Sequence, residues 1–149
     1  MAYQTAAGAS LSAVASLPAT YDDTGYGALT GVIIGEITNI GEFGKEFALV
    51  THQPLATRGT KKGKGSFNNG QLSPALALDN EDAGQIILSA ALEVDTPISF
   101  CVTLQDGTEY WFGGLVMAFK PSVGGVDDIV NKSLMVEIDD NPIIVIDPA

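Results

Sequence analysis

Cys101 and His52 each occur once in the 149-residue chain, so a thiolate–imidazole nucleophile would have to be built from that pair alone. Cys101 lies within the alternating run Ile98–Gln105, and His52 sits beside Thr51, Gln53 and Pro54. A thiol in mid-strand and an imidazole in a loop read as a half-buried core residue and a surface side chain. Asp79, Glu81 and Asp82 gather carboxylates, but without the alternation and distant Glu of a calcium loop they suit the start of a helix better. Asp127-Asp128 and Asp139-Asp140 border expected strands and read as solvated turn carboxylates. Gly59–Ser66 has the Gly and Lys content of a phosphate-binding loop, yet three residues rather than four separate Gly59 from Gly63, and no helix follows. The expectation is therefore no catalytic residue, no metal site and no cofactor: a protein that is not an enzyme.

Charge is the property that is organised. The chain carries 7 basic and 18 acidic residues, a net charge of −11, which opposes nucleic-acid affinity because phosphate binding needs clustered Lys and Arg. Five of the basic residues, Lys45, Arg58, Lys61, Lys62 and Lys64, fall within 45–64 beside the single acid Glu46, giving that stretch +4 and leaving −15 for the rest. An acidic body with a basic loop is self-complementary: the loop of one copy seeks the body of the next, and such head-to-tail contacts generate rings or filaments. Arg58, Lys61, Lys62 and Lys64 are the residues expected to make that contact.

The elements that must position these groups follow from apolar spacing. Hydrophobic residues make up 46% of the chain, aromatics only 7%, and there are 17 glycines, so many short strands with a Val/Ile/Leu/Ala core are expected in one domain spanning 1–149. Residues 1–16 read as an arm, because Leu11 and Val14 stand among small residues with little apolar area to bury. A first strand follows through Val32-Ile33-Ile34 to Ile37. Thr51–Gly70 loses all pattern and reads as a long basic loop, a length that in a compact domain points to function or disorder. Asp79 or Asn80 is expected to cap a helix from about Glu81 to Glu93. Ile98, Phe100, Val102 and Leu104 then share one strand face, with Ser99, Cys101, Thr103 and Gln105 on the other. Asp106-Gly107 signals a two-residue hairpin turn, pairing Cys101 with Phe112 and Val102 with Trp111, and Gly113-Gly114 is expected to bend the returning strand. Leu134, Val136 and Ile138 face the core of a last strand, and the apolar tail in 140–149 reads as either an arm or an edge strand. By alternation alone Thr103, Gln105, Glu109, Glu137 and Asp139 are candidates for a channel or ring surface. A single cysteine excludes an internal disulfide, and no run has the length to cross a bilayer or the layout of a signal peptide.

Six blocks follow one another along the chain: Leu17-Pro18-Ala19-Thr20-Tyr21-Asp22 with Gly25-Tyr26; Ile34-Gly35-Glu36-Ile37-Thr38-Asn39-Ile40-Gly41-Glu42-Phe43-Gly44; Val50-Thr51-His52-Gln53-Pro54-Leu55; Lys64-Gly65-Ser66-Phe67-Asn68; Asp82-Ala83-Gly84-Gln85; and Val102-Thr103-Leu104-Gln105-Asp106-Gly107. Together they resemble one family, the major tail tube proteins of lambda-type, non-contractile long-tailed phages. The resemblance implies a tail-tube β-sandwich or β-barrel with one flanking helix, an extended N-terminal arm and a long inter-strand loop that reaches the adjacent ring. It implies hexameric rings stacked around a tape measure protein, with tail tip and tail terminator proteins as further partners. Viral DNA would pass through without specific binding, in a virion tail assembled in the bacterial cytoplasm. The family has no catalytic residues to carry over. The competing readings are a soluble β-sandwich module, either a tail decoration or a carbohydrate-binding domain, and a secretion-system tube protein.

Overall fold

A computed structural model describes residues 3–147; residues 1–2 and 148–149, the extremities of the two expected arms, lie outside the described residues. In chain order the strands are β1 (Ser10–Val14), β2 (Val32–Ile33), β3 (Ile37–Asn39), β4 (Glu46–His52), β5 (Lys61–Asn68), β6 (Gln71–Leu72), β7 (Ala75–Ala77), β8 (Ile98–Thr103), β9 (Glu109–Ser122), β10 (Asn131–Ile138) and β11 (Ile144–Ile146). The helices are α1 (Asp23–Gly27) and α2 (Ala83–Leu92). Nine strands join one antiparallel sheet in the order β2-β1-β8-β9-β10-β7-β3, with β6 also on β10 and β11 on β9, while β4 and β5 pair only with each other. The expected mainly β fold is observed, with a second, single-turn helix in addition to the one anticipated.

One face of the large sheet carries the core. Leu11 and Ala13 of β1, Ile98, Phe100 and Val102 of β8, Phe112, Val116 and Phe119 of β9, and Leu134, Val136 and Ile138 of β10 meet Leu88 and Ala91 of α2 in a single cluster. The alternation read for β8 and β10 produces this, because successive strand side chains point to opposite faces. α2 is fixed at its start by Asp82, whose carboxylate accepts from Gln85 N at 3.0 Å and from Gly35 N at 3.1 Å. The N-cap is thus Asp82 and neither of the expected Asp79 and Asn80; Asp79 instead accepts from Glu81 N in the preceding turn. Gln85 is buried and works in both directions: Oε1 accepts from Asp79 N, and Nε2 donates to the carbonyls of Ala77 and Gly35. Gly84 lets the helix touch β2's exit, since a Cβ there would stand 2.6 Å from Ile34 Cα. Gln85→Ala should cost about 2–3 kcal/mol, the toll of stranding several buried backbone groups, whereas Ile86→Ala, on the exposed face, should stay within about 0.5 kcal/mol. Urea unfolding of both variants measures the contrast, and equal losses would contradict it.

Five further expectations need correction. The strand read from Val32 through Ile37 is broken in two, because the chain leaves β2 at Ile33, turns through Glu36 at φ 63° and starts β3 at Ile37. Residues 10–14, placed in an N-terminal arm, form β1, which pairs with β8 from Ser10↔Thr103 to Val14↔Ser99. Their small side chains alternate and fit beneath α2, so period two, not area per residue, decides. The stretch 51–70 is not a patternless loop; most of it forms the far half of a β4–β5 hairpin. The turn at Asp106-Gly107 is three residues long, with Leu104 N donating to Thr108 O and Gly107 N to Leu104 O, and Gly107 at φ 96° supplies the left-handed residue. This shifts the register by one, so Cys101 faces Trp111 and Val102 faces Tyr110. Gly113-Gly114 does not break β9: the register shift comes later, between Met135 and Val136 of β10. The glycines serve close approach instead, because a Cβ at Gly114 would meet Val136 Cγ1 at 2.5 Å and one at Gly113 would meet Asp139 Oδ2 at 2.6 Å. At the C-terminal end the tail supplies β11, an edge strand paired from Ile144↔Trp111 to Ile146↔Glu109, which is one of the two alternatives the sequence left open.

Candidate assembly surfaces

The β4–β5 hairpin stands off the body. Every residue of β4 is exposed, and in β5 only Gly65 is partly covered. The pairing runs from Glu46↔Asn68 and Phe47↔Phe67 to Thr51↔Lys62 and His52↔Lys61, with a register shift between Phe47 and Leu49. Alternation puts Phe47, Leu49, Thr51, Lys62, Lys64 and Phe67 on one face. There the two Phe rings lie 5.9 Å apart, with Lys64 Nζ 4.7 Å from the centre of Phe47 and Lys45 Nζ 4.6 Å from that of Phe67. Gln53 Nε2 donates to Thr60 Oγ1 at 3.0 Å across the tip, where Leu55 is fully exposed and Arg58 projects from the turn. Arg58, Lys61, Lys62 and Lys64 are therefore brought together on one ribbon, with Lys61 on the face opposite Lys62 and Lys64.

The base of this arm is firmly held. Gly44 N donates to Asn69 O, and the buried Asn69 Nδ2 donates to the carbonyls of Asp139 at 2.6 Å and Asn141 at 2.9 Å. Gly70 N donates to Asn68 Oδ1, and Ile138 N donates to Gly70 O. Asn69 thus welds the arm to the connection between β10 and β11. Sequence reading missed it, since the second of two Asn residues before a Gly in a polar stretch gives no signal of burial.

The second surface is the sheet face opposite the core. Thr103 and Glu109 are cross-strand partners on it, and Glu137 lies opposite Leu115. Gln105 occupies the exposed turn above them. Asp139 sits lower on the same side, half-buried against Gly113, with Asn141 N and Nδ2 each donating to its carboxylate at 3.2 Å. Burial pushes its carboxyl above the ordinary Asp value in spite of those donors, with Asp140 adding to the rise. Part of this face is roofed: Tyr26 of α1 stacks on Trp111 at 5.6 Å, and Tyr21 meets Tyr26 edge-on at 6.1 Å. Burial, then Asp139, then Tyr21 push the Tyr26 phenol up to about 12. Beneath the roof, burial drives the Cys101 thiol up to about 11, a rise reinforced by Glu109 and opposed by the Thr103 hydroxyl. At neutral pH that thiol is protonated, and His52 lies out on the arm, so the two are not brought together as a nucleophile and base.

No family model and no curated protein matches the chain. Solved structures do. A chain of an extracellular contractile injection system, from its sheath/tube terminator in the extended state, superposes with a TM-score of 0.68 at 6% identity, covering 97% of each chain. A chain of the anti-feeding prophage baseplate, six-fold symmetrised, gives 0.66 at 8% identity over 99% of this chain and 98% of that one. The SPP1 tail tube gives 0.60 at 13% identity over 94% of this chain and 77% of that one. At such identities the likeness is one of fold, and that fold is the one used by chains of tail tube, terminator and baseplate assemblies.

Proposed function

We propose that the protein is a structural tube subunit: six copies close a ring through their sheets, and rings stack into a hollow tail tube, with the basic hairpin of one ring seated on the next. The observation that carries this reading is the β4–β5 hairpin, a long ribbon that nothing else among the described residues covers. A two-stranded ribbon is marginal alone in water, so its exposed Phe47, Leu49, Val50 and Phe67 need a neighbouring copy to bury them. The fold shared with tail-assembly chains supports the same reading, and the six-fold symmetry named for the anti-feeding prophage baseplate supports the ring number. Within it, the lambda-type phage tail is the specific form we favour, with a tape measure protein inside, tip and terminator proteins at the ends, and DNA conducted at ejection. The −15 of the chain outside residues 45–64 suits a channel along which a polyanion slides without adhering.

Electron microscopy of the purified protein is the direct test. Rings or tubes about one domain thick in the wall are expected, and discrete monomers at every concentration would refute the proposal. For the channel, assembled tubes should bind duplex DNA no better than background at physiological salt. A salt-sensitive affinity tighter than about 1 mM, measured by co-sedimentation, would overturn that part.

A further inference from the structure

Resting on the tube reading, the geometry points to the surface that receives the arm: the far end of the sheet, where the β9–β10 tip meets the start of α2. The arm leaves the body beside Asn69, Gly70 and Asp139, at the C-terminal end of β10. The β9–β10 tip, residues 123–130, lies at the opposite end of the same strand, about 25 Å away at some 3.3 Å per residue. A basic projection at one end and a receiving patch at the other are the arrangement that head-to-tail stacking requires.

The chemistry of that far end complements the arm in two respects. Val123, Val126 and Ile129 are 76%, 104% and 71% exposed, an unusual density of bare aliphatic side chains on one short tip, and Ile86 on α2 is 55% exposed. Hydrogen bonds join the tip to the acidic segments beside it: Leu78 N donates to Val130 O and Ala77 N to Glu36 O, both at 2.9 Å. Glu36, Asp79, Glu81, Asp82, Asp127 and Asp128 therefore collect at this end, against Lys120 and Lys132, for a net −4. Lys132 is spent locally, its Nζ lying 4.0 Å from the centre of the Phe119 ring. The arm brings +4 over residues 45–64 together with Leu49, Val50 and the bare Leu55 at its tip. Apolar tip meets apolar tip, and Arg58, Lys61 and Lys62 fall among the carboxylates.

Zero-length carbodiimide cross-linking of full-length protein, on a mixture of isotopically light and heavy subunits, reads the contact directly. Light–heavy links from Lys61 or Lys62 to Glu81, Asp127 or Asp128 are expected. Links from the arm confined to Glu42, Glu46, Asp140 or Asp147, the carboxylates near the arm's own base, would overturn the assignment while leaving the tube intact. If no light–heavy link forms, electron micrographs of the same sample decide: tubes present overturn the assignment alone, and tubes absent sink the tube reading itself. As the genetic counterpart, Asp127→Lys/Asp128→Lys should shorten tubes about tenfold, as Lys61→Glu/Lys62→Glu should, with the four changes together restoring length. Circular dichroism establishes that each variant is folded, and parental-length tubes from Asp127→Lys/Asp128→Lys would overturn the inference.

Discussion

Replacing Phe47–Phe67 with an Asn-Gly turn between Glu46 and Asn68 should give a protein that melts within about 5 °C of its parent and forms no tubes. The stability half follows from what the arm touches. Strands β4 and β5 pair only with each other, so their removal takes nothing from the core. The anchors at Gly44, Asn69 and Gly70 all remain, and Glu46↔Asn68 is already a paired rung onto which a two-residue turn fits. Shortening the excursion also lowers its closure entropy slightly. The assembly half follows from what is lost: the aromatic pair, the bare Leu55 and four of the seven basic side chains, Lys64 beside Phe47 among them. Because every subunit contributes an arm, a modest term per contact multiplies around a ring. Melting curves and electron micrographs taken on the same preparation decide it. Tubes of normal length would show that the arm is dispensable for assembly, and a collapsed melting curve would show that it belongs to the fold.

The difference in what the sequence disclosed follows from how strongly each segment is packed. Strands β8 and β10 were legible because one face of each is core, which forces apolar residues to alternate with polar ones. The helix at Ala83–Leu92 was legible for the same reason, with a capping carboxylate, Asp82, just before it. The arm was not, because a ribbon that packs under nothing else among the described residues has no buried face to pattern, and Lys61-Lys62-Gly63-Lys64-Gly65 reads as a loop whether or not it pairs. β1 escaped notice for the opposite cause: Leu11 and Ala13 are fully buried, but small side chains under a helix need no large apolar run. The hairpin register slipped by one because Asp106-Gly107 fixes where the chain reverses and not whether Gln105 joins the loop. Among the candidate site residues, charge alone grouped Arg58, Lys61, Lys62 and Lys64, and all four do lie on one hairpin, since a basic cluster on an acidic chain can be read without its secondary structure. Asp139 shows the limit of alternation: it names the face correctly but not the depth, which Gly113 and Asn141 set.

Phe112→Ala should produce the largest loss of stability of any single truncation in the sheet, about 3–5 kcal/mol. Phe112 has no exposed surface and stands where β9 turns from β8 to β10 as its partner. Its ring stacks on Phe100 at 5.8 Å and meets Phe43 at 5.6 Å, so truncation opens a cavity bounded by two other rings. Neither neighbour can collapse into it freely: Phe100 is itself fully buried, and Phe43 is tied through Tyr110, 5.5 Å away edge-on. Domains of this size hold roughly 5–15 kcal/mol in all, so the variant should sit near the edge of stability at 37 °C. Phe112→Leu, which leaves most of the volume filled, should lose less than half as much. Urea titration at 15 °C gives both numbers, with an unchanged slope indicating that the native sheet and not the unfolded chain is affected. A loss below about 1 kcal/mol for the alanine variant would mean that the core is organised around other side chains. Any molecules of Phe112→Ala that remain folded in the cold keep an intact arm and an intact far end. They should still associate, the reverse of the arm-truncated protein, and folded molecules that could not would tie assembly to the sheet's interior instead of to its two ends.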